Sequence, residues 1–324
     1  PFPFSRWKPL EKIMDILQER ILVTGGSGMV GSALAEMIPN AMFIDSSMYD
    51  LTDQVDTNYL FLDTNPDYVI HLAAKVGGVK ANADNLGSFY YDNIAINTNV
   101  LEGARKFKVK KVLSLLSTCI YPNVVTYPLT EEQIHDGPPH PSNYAYAYAK
   151  RMLDIQSQAY RKQYGSNFIT VVPNNLFGEH DNFDLNDSHI IPAVIRKIYE
   201  AKTNNKQLIL WGDGKPLREF TYSKDLARIV LLLLSDYEEP SPINVGNPKE
   251  YSIKEMVKII SDVMDYDGDV VWDTSKPKGQ HRKPSSNAKL LNLGWQNKDY
   301  TPLRTAIENT YKWFIDNYPN VRGC

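Results

Sequence analysis

The sequence predicts an α/β protein, a Rossmann-type doubly wound parallel sheet with a smaller C-terminal α/β substrate lobe, on three observations. Short apolar runs alternate with longer amphipathic segments through the first half of the chain. The first of these runs ends in a glycine-rich turn that opens directly into a helical pattern. Beyond Gly178 the alternation loses its regularity, which marks off a second unit.

Ile21–Thr24, Met42–Ile44, Tyr68–Leu72, Lys111–Leu116 and Phe168–Val172 are apolar enough to be buried on both faces, as parallel strands are. The amphipathic segments between them supply right-handed crossovers, so the ligand crevice is expected at the carboxyl ends of the strands. Helices are expected at 93–106 and at Tyr144–Tyr164. Further on, the pattern predicts a helix at 190–201, a strand at 208–211 and a helix at 223–234. Ser252 and Glu255 have the spacing of a capping box, and Pro302 opens a last amphipathic helix over 301–318. On this reading residues 1–19 are an N-terminal extension. Residues 20–178 form the dinucleotide-binding domain, with a return segment at 219–248. Residues 179–218 and 249–324 form the substrate-binding lobe.

The 324 residues are long enough for one large domain and a smaller lobe. Apolar residues make up 43% and charged residues 23%, as in ordinary globular proteins, and the net charge is −3. Basic residues are interspersed with acidic ones, which argues against nucleic acid or a membrane surface and for a small-molecule partner. Cys119 and Cys324 are the only cysteines, so neither a disulfide framework nor a Cys-rich metal site is expected, and a reducing, cytoplasmic setting is. The longest aliphatic run, Ile229–Leu234, falls far short of the roughly 20 residues that span a bilayer. Pro1–Glu19 lacks the apolar segment of a secretory signal.

Chemistry enters at three motifs. Gly25, Gly28 and Gly31 stand at Gly-x-x-Gly-x-x-Gly spacing between strand and helix, where free N–H groups of Gly28, Met29 and Val30 can meet a pyrophosphate. Tyr146 alone among the tyrosines has a lysine, Lys150, four residues on, which puts both on one helix face. A neighbouring ammonium is expected to lower the phenol's pKa, so that Tyr146 can give a proton to a carbonyl oxygen that Ser117 hydrogen-bonds. Cys119, two residues after Ser117, is a candidate proton shuttle; unpaired cysteines are also often small buried hydrophobes.

The Gly-x-x-Gly-x-x-Gly turn, Tyr-x-x-x-Lys and the His71-Leu72-Ala73-Ala74 strand end resemble the short-chain dehydrogenase/reductases. Within them, Ala73–Gly78, Ser117–Pro122, Asn174–Gly178, His180–Phe183, Ser188–Pro192, Trp211–Gly214 and Arg218–Phe220 resemble the GDP-L-fucose synthase family, over essentially Arg20–Tyr318. The resemblance implies epimerisation of GDP-4-keto-6-deoxy-D-mannose at C3 and C5, then reduction at C4 with NADP(H). It implies that Cys119 and His189 are the epimerisation acid and base and that Ser117, Tyr146 and Lys150 serve the reduction. Coenzyme contacts are implied from Asp45, Ser46 and Asp53, from Leu72, Ala73 and Ala74, and from Leu115, Leu116, Pro173, Asn175 and Leu176. Substrate contacts are implied from Asn175, His189, Lys197, Trp211, Arg218, Lys278 and Lys283, with Arg218 suited to the diphosphate by its planar fork. It also implies a homodimer built on the helices at 93–106 and 144–164. Lys197, Lys278 and Asp45 depart from the family pattern. A carboxylate at the end of the second strand usually accepts ribose hydroxyls and disfavours a 2′-phosphate, so NADP(H) requires Asp45 to turn aside while Ser46 and Ser47 face that phosphate. Two other readings stay open, another nucleotide-sugar epimerase or dehydratase and a non-catalytic Rossmann redox sensor.

Overall fold

Runs of Val, Ile and Leu that cannot face water on either side build the central sheet. In the computed structural model, which describes residues 10–77, 82, 84–185, 188–204, 206–275 and 281–324, this sheet contains β1 (Ile21–Thr24), β2 (Met42–Ile44), β3 (Tyr68–His71), β4 (Lys111–Leu115), β5 (Phe168–Pro173) and β9 (Ile243–Val245). The order is β2-β1-β3-β4-β5-β9 and every pairing is parallel. The chain steps outward from β1 to β2 and then returns to β1's other side for β3. That reversal opens a crevice at the carboxyl end of β1.

Side chains alternate between the two faces, as a strand requires. Val23, Ile70 and Leu113 pack on one face with the helices Met29–Met37 and Ser223–Asp236. Leu22, Val69 and Val112 pack on the other with the helices Gln54–Thr64, Leu86–Lys106 and Tyr144–Tyr164.

A third core holds Phe177, Ile195, Phe220, Met256 and Phe314. It is built on the helices Ile190–Asn204, Ile253–Val263 and Leu303–Asn317 and on two small sheets. In one, β8 (Leu217–Tyr222) lies between parallel β6 (Asn175–Phe177) and antiparallel β10 (Glu250–Ser252). In the other, β7 (Leu208–Trp211) runs parallel to β11 (Val270–Asp273). Ser252 caps its helix with both bonds of the predicted box, Glu255 N–H to Ser252 Oγ at 3.1 Å and Ser252 N–H to Glu255 Oε2 at 2.7 Å.

Two differences from the sequence reading have local causes. Leu10–Ile16, read as part of an extension, is a helix whose Ile13 is 1% exposed in the core shared with Ser223–Asp236. The helix expected from Asn93 starts two turns earlier, at Leu86, where Gly87 and exposed Tyr90 and Tyr91 blur the amphipathic pattern. Among the described residues no helix is long and apolar enough to cross a membrane.

Candidate active site

The coenzyme side of the crevice is made by backbone. Gly25 has φ +70°, and a Cβ there would stand 2.9 Å from Ala73 N. At Gly31 a Cβ would meet Gly26 O at 2.5 Å, so this glycine lets the helix close onto the turn. Gly28 caps the Met29–Met37 helix without a side chain, and no acidic residue occupies its first turn. Gly28 N donates to Gly25 O at 3.1 Å, which closes the turn, and the N–H groups of Met29 and Val30 with the positive dipole end are left for an anion, so the turn fits a dinucleotide pyrophosphate. Leu72, Ala73 and Ala74 continue the wall from β3, half-buried.

A buried hydrogen-bond chain fixes that wall. Thr24 Oγ1 lies 2.8 Å from His71 Nδ1, and His71 Nε2 lies 3.0 Å from Asn97 Oδ1. The amide oxygen only accepts, so Nε2 carries the ring proton and the Thr24 hydroxyl donates to Nδ1. Burial, with Lys150 nearby, holds His71 neutral, its pKa pushed down to about 3. Asn97 Nδ2 then donates to Ala149 O at 3.2 Å, which ties the Tyr144–Tyr164 helix to the sheet.

Asp45 ends β2 as expected, yet it is tied into its own turn. Its Oδ1 accepts from Ser47 Oγ at 2.6 Å and Ser47 N at 2.9 Å, bonds that hold the carboxyl below its ordinary range. Ser47 is thus engaged by Asp45 instead of standing ready for a phosphate, and exposed Ser46 remains. Asp53 has structural work: its Oδ1 caps the Gln54–Thr64 helix through Val55 N (2.7 Å) and Asp56 N (2.9 Å).

Beyond Leu115 and Leu116, Ser117 opens a one-turn 3-10 helix, Thr118–Ile120, and its Oγ accepts from Cys119 N at 3.4 Å. The Tyr144–Tyr164 helix clamps this turn. Lys150, 3% exposed, donates to Leu115 O at 2.9 Å, and Arg151 Nε donates to Ile120 O at 2.6 Å. Lys150 Nζ lies 6.0 Å from the Tyr146 ring centroid. The expected lowering of the Tyr146 pKa is not found: burial pushes the phenol up, and Cys119 adds to the rise. Burial also brings Lys150 down to about 8. Tyr146 is held in its neutral, proton-donating form. Burial raises the Cys119 thiol too, opposed by a hydrogen bond with Ser117 and by the charges of Lys283 and Lys150.

On the lobe, a cavity of about 260 Å³ is lined by Asn175, Leu176, His189, Trp211, Phe220 and Arg218, among others, and Ser117, Cys119, Tyr146 and Lys150 are not among its lining residues. Trp211 is 66% exposed where it lines this cavity. Arg218 donates to Leu217 O at 2.7 Å, and its charge adds to the burial that lowers the Lys283 pKa. Lys283 Nζ donates to Thr118 O at 2.9 Å, which sets it inside the site. Lys197 is not among the lining residues and donates to Ile209 O at 3.4 Å. Lys278 lies outside the described residues. Pro173 is buried at the end of β5, and Asn175 Nδ2 donates to Glu219 O at 2.9 Å. Sequence reasoning passed over Arg151, Asn97 and Glu219; only Glu219 carried a signal, inside the Arg218–Phe220 motif.

Three comparisons bear on this geometry. Residues 21–246 match the model of the NAD dependent epimerase/dehydratase family. A GDP-L-fucose synthase of Dictyostelium discoideum is 45% identical over 311 residues, which cover 93% of this chain and 97% of that protein. The crystal structure of a GDP-L-fucose synthetase from Naegleria fowleri bound to NADP superposes with a TM-score of 0.88 at 41% identity, over 94% of this chain and 95% of that one.

Proposed function

The chain belongs to the GDP-L-fucose synthase branch of the NAD dependent epimerase/dehydratase family, and from this premise we propose that it converts GDP-4-keto-6-deoxy-D-mannose to GDP-L-fucose by epimerisation at C3 and C5 and reduction at C4. The observation that carries the reading is the gathering of Ser117, Cys119, Tyr146 and Lys150 around one turn, which Lys283 links to Arg218, a residue that lines a cavity together with His189. NADPH, when bound, supplies the two electrons and one hydrogen that C4 gains.

The chain's own residues do the rest. The first turn of the Met29–Met37 helix receives the coenzyme pyrophosphate, and the small residues Ala73 and Ala74 leave room beside it. Ser117 Oγ and the Tyr146 hydroxyl hold the C4 oxygen, which acidifies the carbons on either side. Cys119 and His189 move protons at those carbons, from the two walls of the site. Tyr146 then donates its proton to the C4 oxygen, a step suited to a phenol kept neutral by burial. Arg218 meets the diphosphate, with Trp211 and Asn175 lining the approach.

A homodimer has physical support on the same helix. Tyr144, Tyr148, Met152 and Ile155 are 40–45% exposed and recur along one face of Tyr144–Tyr164, an apolar stripe beside Leu86–Lys106 with its exposed Tyr90 and Tyr91.

One pair of variants tests the assignment in heavy water. Cys119→Ser is expected to lose deuterium incorporation at C3 and C5 while still oxidising NADPH. Tyr146→Phe is expected to keep incorporation and lose reduction by roughly 10²- to 10⁴-fold. Undiminished deuterated L-fucose nucleotide from Cys119→Ser would reduce the thiol to packing.

A further inference from the structure

We propose that Lys283 is the cation facing Cys119 during proton transfer, and that Glu219 is the positioning residue for the strap that carries it, an inference resting on the epimerase reading of Cys119. Residues 281–287 run between the two units and are stitched to both. Leu217 N donates to His281 O at 2.8 Å on the lobe side, while Leu129 N donates to Pro284 O and Ser286 N to Leu129 O, both at 2.8 Å, on the other. Between those stitches Lys283 reaches Thr118 O, the carbonyl one residue before Cys119. That bond takes one of the ammonium's three donors.

The strap is held from beneath by a buried carboxylate that the reaction does not otherwise use. Glu219 on β8 is 3% exposed, and its two oxygens accept from Ser285 N at 3.1 and 3.2 Å, with Oε2 also accepting from Asn174 Nδ2 at 3.2 Å. These donors are neutral, so ionising the carboxyl carries a desolvation cost, and burial raises its pKa to about 7. In return one side chain joins the segment after β5, β8 and the strap two residues from Lys283. The groups facing Cys119 are Ser117 from its own turn, Tyr146, Lys150 and Arg151 from the Tyr144–Tyr164 helix, and Lys283 from the strap. Lys150 and Arg151 reach this turn from the Tyr144–Tyr164 helix, bonding the Leu115 and Ile120 carbonyls, whereas Lys283 is the cation that the strap brings to it. When Sγ takes a proton from the sugar carbon or returns one, Lys283 keeps all three of its own and offsets the thiolate charge in between.

The test reads the thiol directly. In a Cys324→Ser background, iodoacetamide alkylation of Cys119 is followed by mass spectrometry from pH 6 to 10 without coenzyme or sugar. Lys283→Met is expected to move the midpoint upward and slow alkylation at pH 7 about tenfold, the thiolate fraction lost per pKa unit. Lys283→Arg should restore most of the rate. Glu219→Gln, which leaves the ammonium but loosens its strap, should shift the profile the same way by less. Lys283→Gln repeats the measurement should the methionine variant fold poorly. Profiles of the Met or Gln variant superimposed on the parent would overturn the role of Lys283, and an unmoved Glu219→Gln profile would overturn the strap. If Cys119→Ser still exchanges deuterium, the epimerase reading falls by itself, because alkylation reports the thiol's surroundings whatever its role.

Discussion

The two walls of the site are built differently. The coenzyme wall comes from backbone close in sequence: a turn of seven residues from Gly25 to Gly31, backed by Ala73 across one strand pairing. The sugar wall is assembled from side chains far apart in the chain. Lys283 meets Thr118 across 165 positions, Glu219 meets Ser285 across 66 and Asn174 meets Glu219 across 45. A backbone cradle depends on the absence of side chains, whereas the sugar wall depends on particular ones held by long-range bonds. The first should fail by obstruction and the second by loss of placement.

Obstruction is the larger expected effect. Gly31→Ala puts a methyl group 2.5 Å from Gly26 O and 2.6 Å from Gly25 O, backbone atoms that cannot step aside as a side chain would. Overpacking of this kind costs about 1–3 kcal/mol, so NADPH affinity should fall by roughly 10- to 100-fold. GDP-mannose, a non-reacting probe of the sugar wall, should bind as before. Calorimetric titration of both ligands checks the contrast; equal losses would show that the walls are not separable.

That same difference decided what could be read from sequence. Ile21–Thr24, Met42–Ile44 and Leu208–Trp211 fall where their apolar runs end, because a buried parallel strand is a local property. The glycine turn and the Tyr146–Lys150 pair were legible for the same reason. β6 was hidden because Asn175 and Leu176 owe their strand geometry to pairing with Phe220 and Thr221, which no local pattern announces. The direction of the Tyr146 shift was misjudged because spacing reveals a lysine on the same face but not the burial that outweighs it. Glu219 was visible as a letter in a motif; its partners Asn174 and Ser285 were not.

Titration offers a second, smaller contrast. On the coenzyme unit, the Arg20 hydrogen bond holds Asp67 down at about 2, and the Arg105 hydrogen bond does the same for Glu102. Such carboxylates lend stability that is lost as pH falls. Glu219 has the opposite sign: burial raises it from 4.5 to about 7. Between these values the folded chain keeps a proton that the unfolded chain has released, so this contribution is full below pH 4.5 and is lost as pH rises through 7. Glu219→Gln fixes the neutral form. Relative to the variant, the parent should therefore lose on the order of 2 kcal/mol between pH 4.5 and 8. Denaturation followed by tryptophan fluorescence at both pH values measures it, and a constant difference would mean that Glu219 is ionised throughout.

The smallest effect is expected at Lys197, and it marks where the sugar wall stops. By resemblance this lysine stands where relatives place an arginine near substrate, and a charge lost from a phosphate contact commonly costs about 1.5–3 kcal/mol, or more than tenfold in affinity. Its position argues otherwise. Lys197 lies on the Ile190–Asn204 helix downstream of His189, is half-buried, and gives its ammonium to Ile209 O at 3.4 Å, within the lobe and outside the lining of the cavity. Arg218, by contrast, lines that cavity from β8. Lys197→Ala should therefore change the KM for the nucleotide sugar by less than about twofold, in line with surface substitutions within ~0.5 kcal/mol, whereas Arg218→Ala should raise it by at least tenfold, on the order of one charge-assisted bond. Steady-state kinetics of the two variants, side by side, gives the answer. A tenfold rise for Lys197→Ala would mean that the lysine leaves Ile209 when the diphosphate binds, and that the wall extends one helix further than its resting geometry draws it.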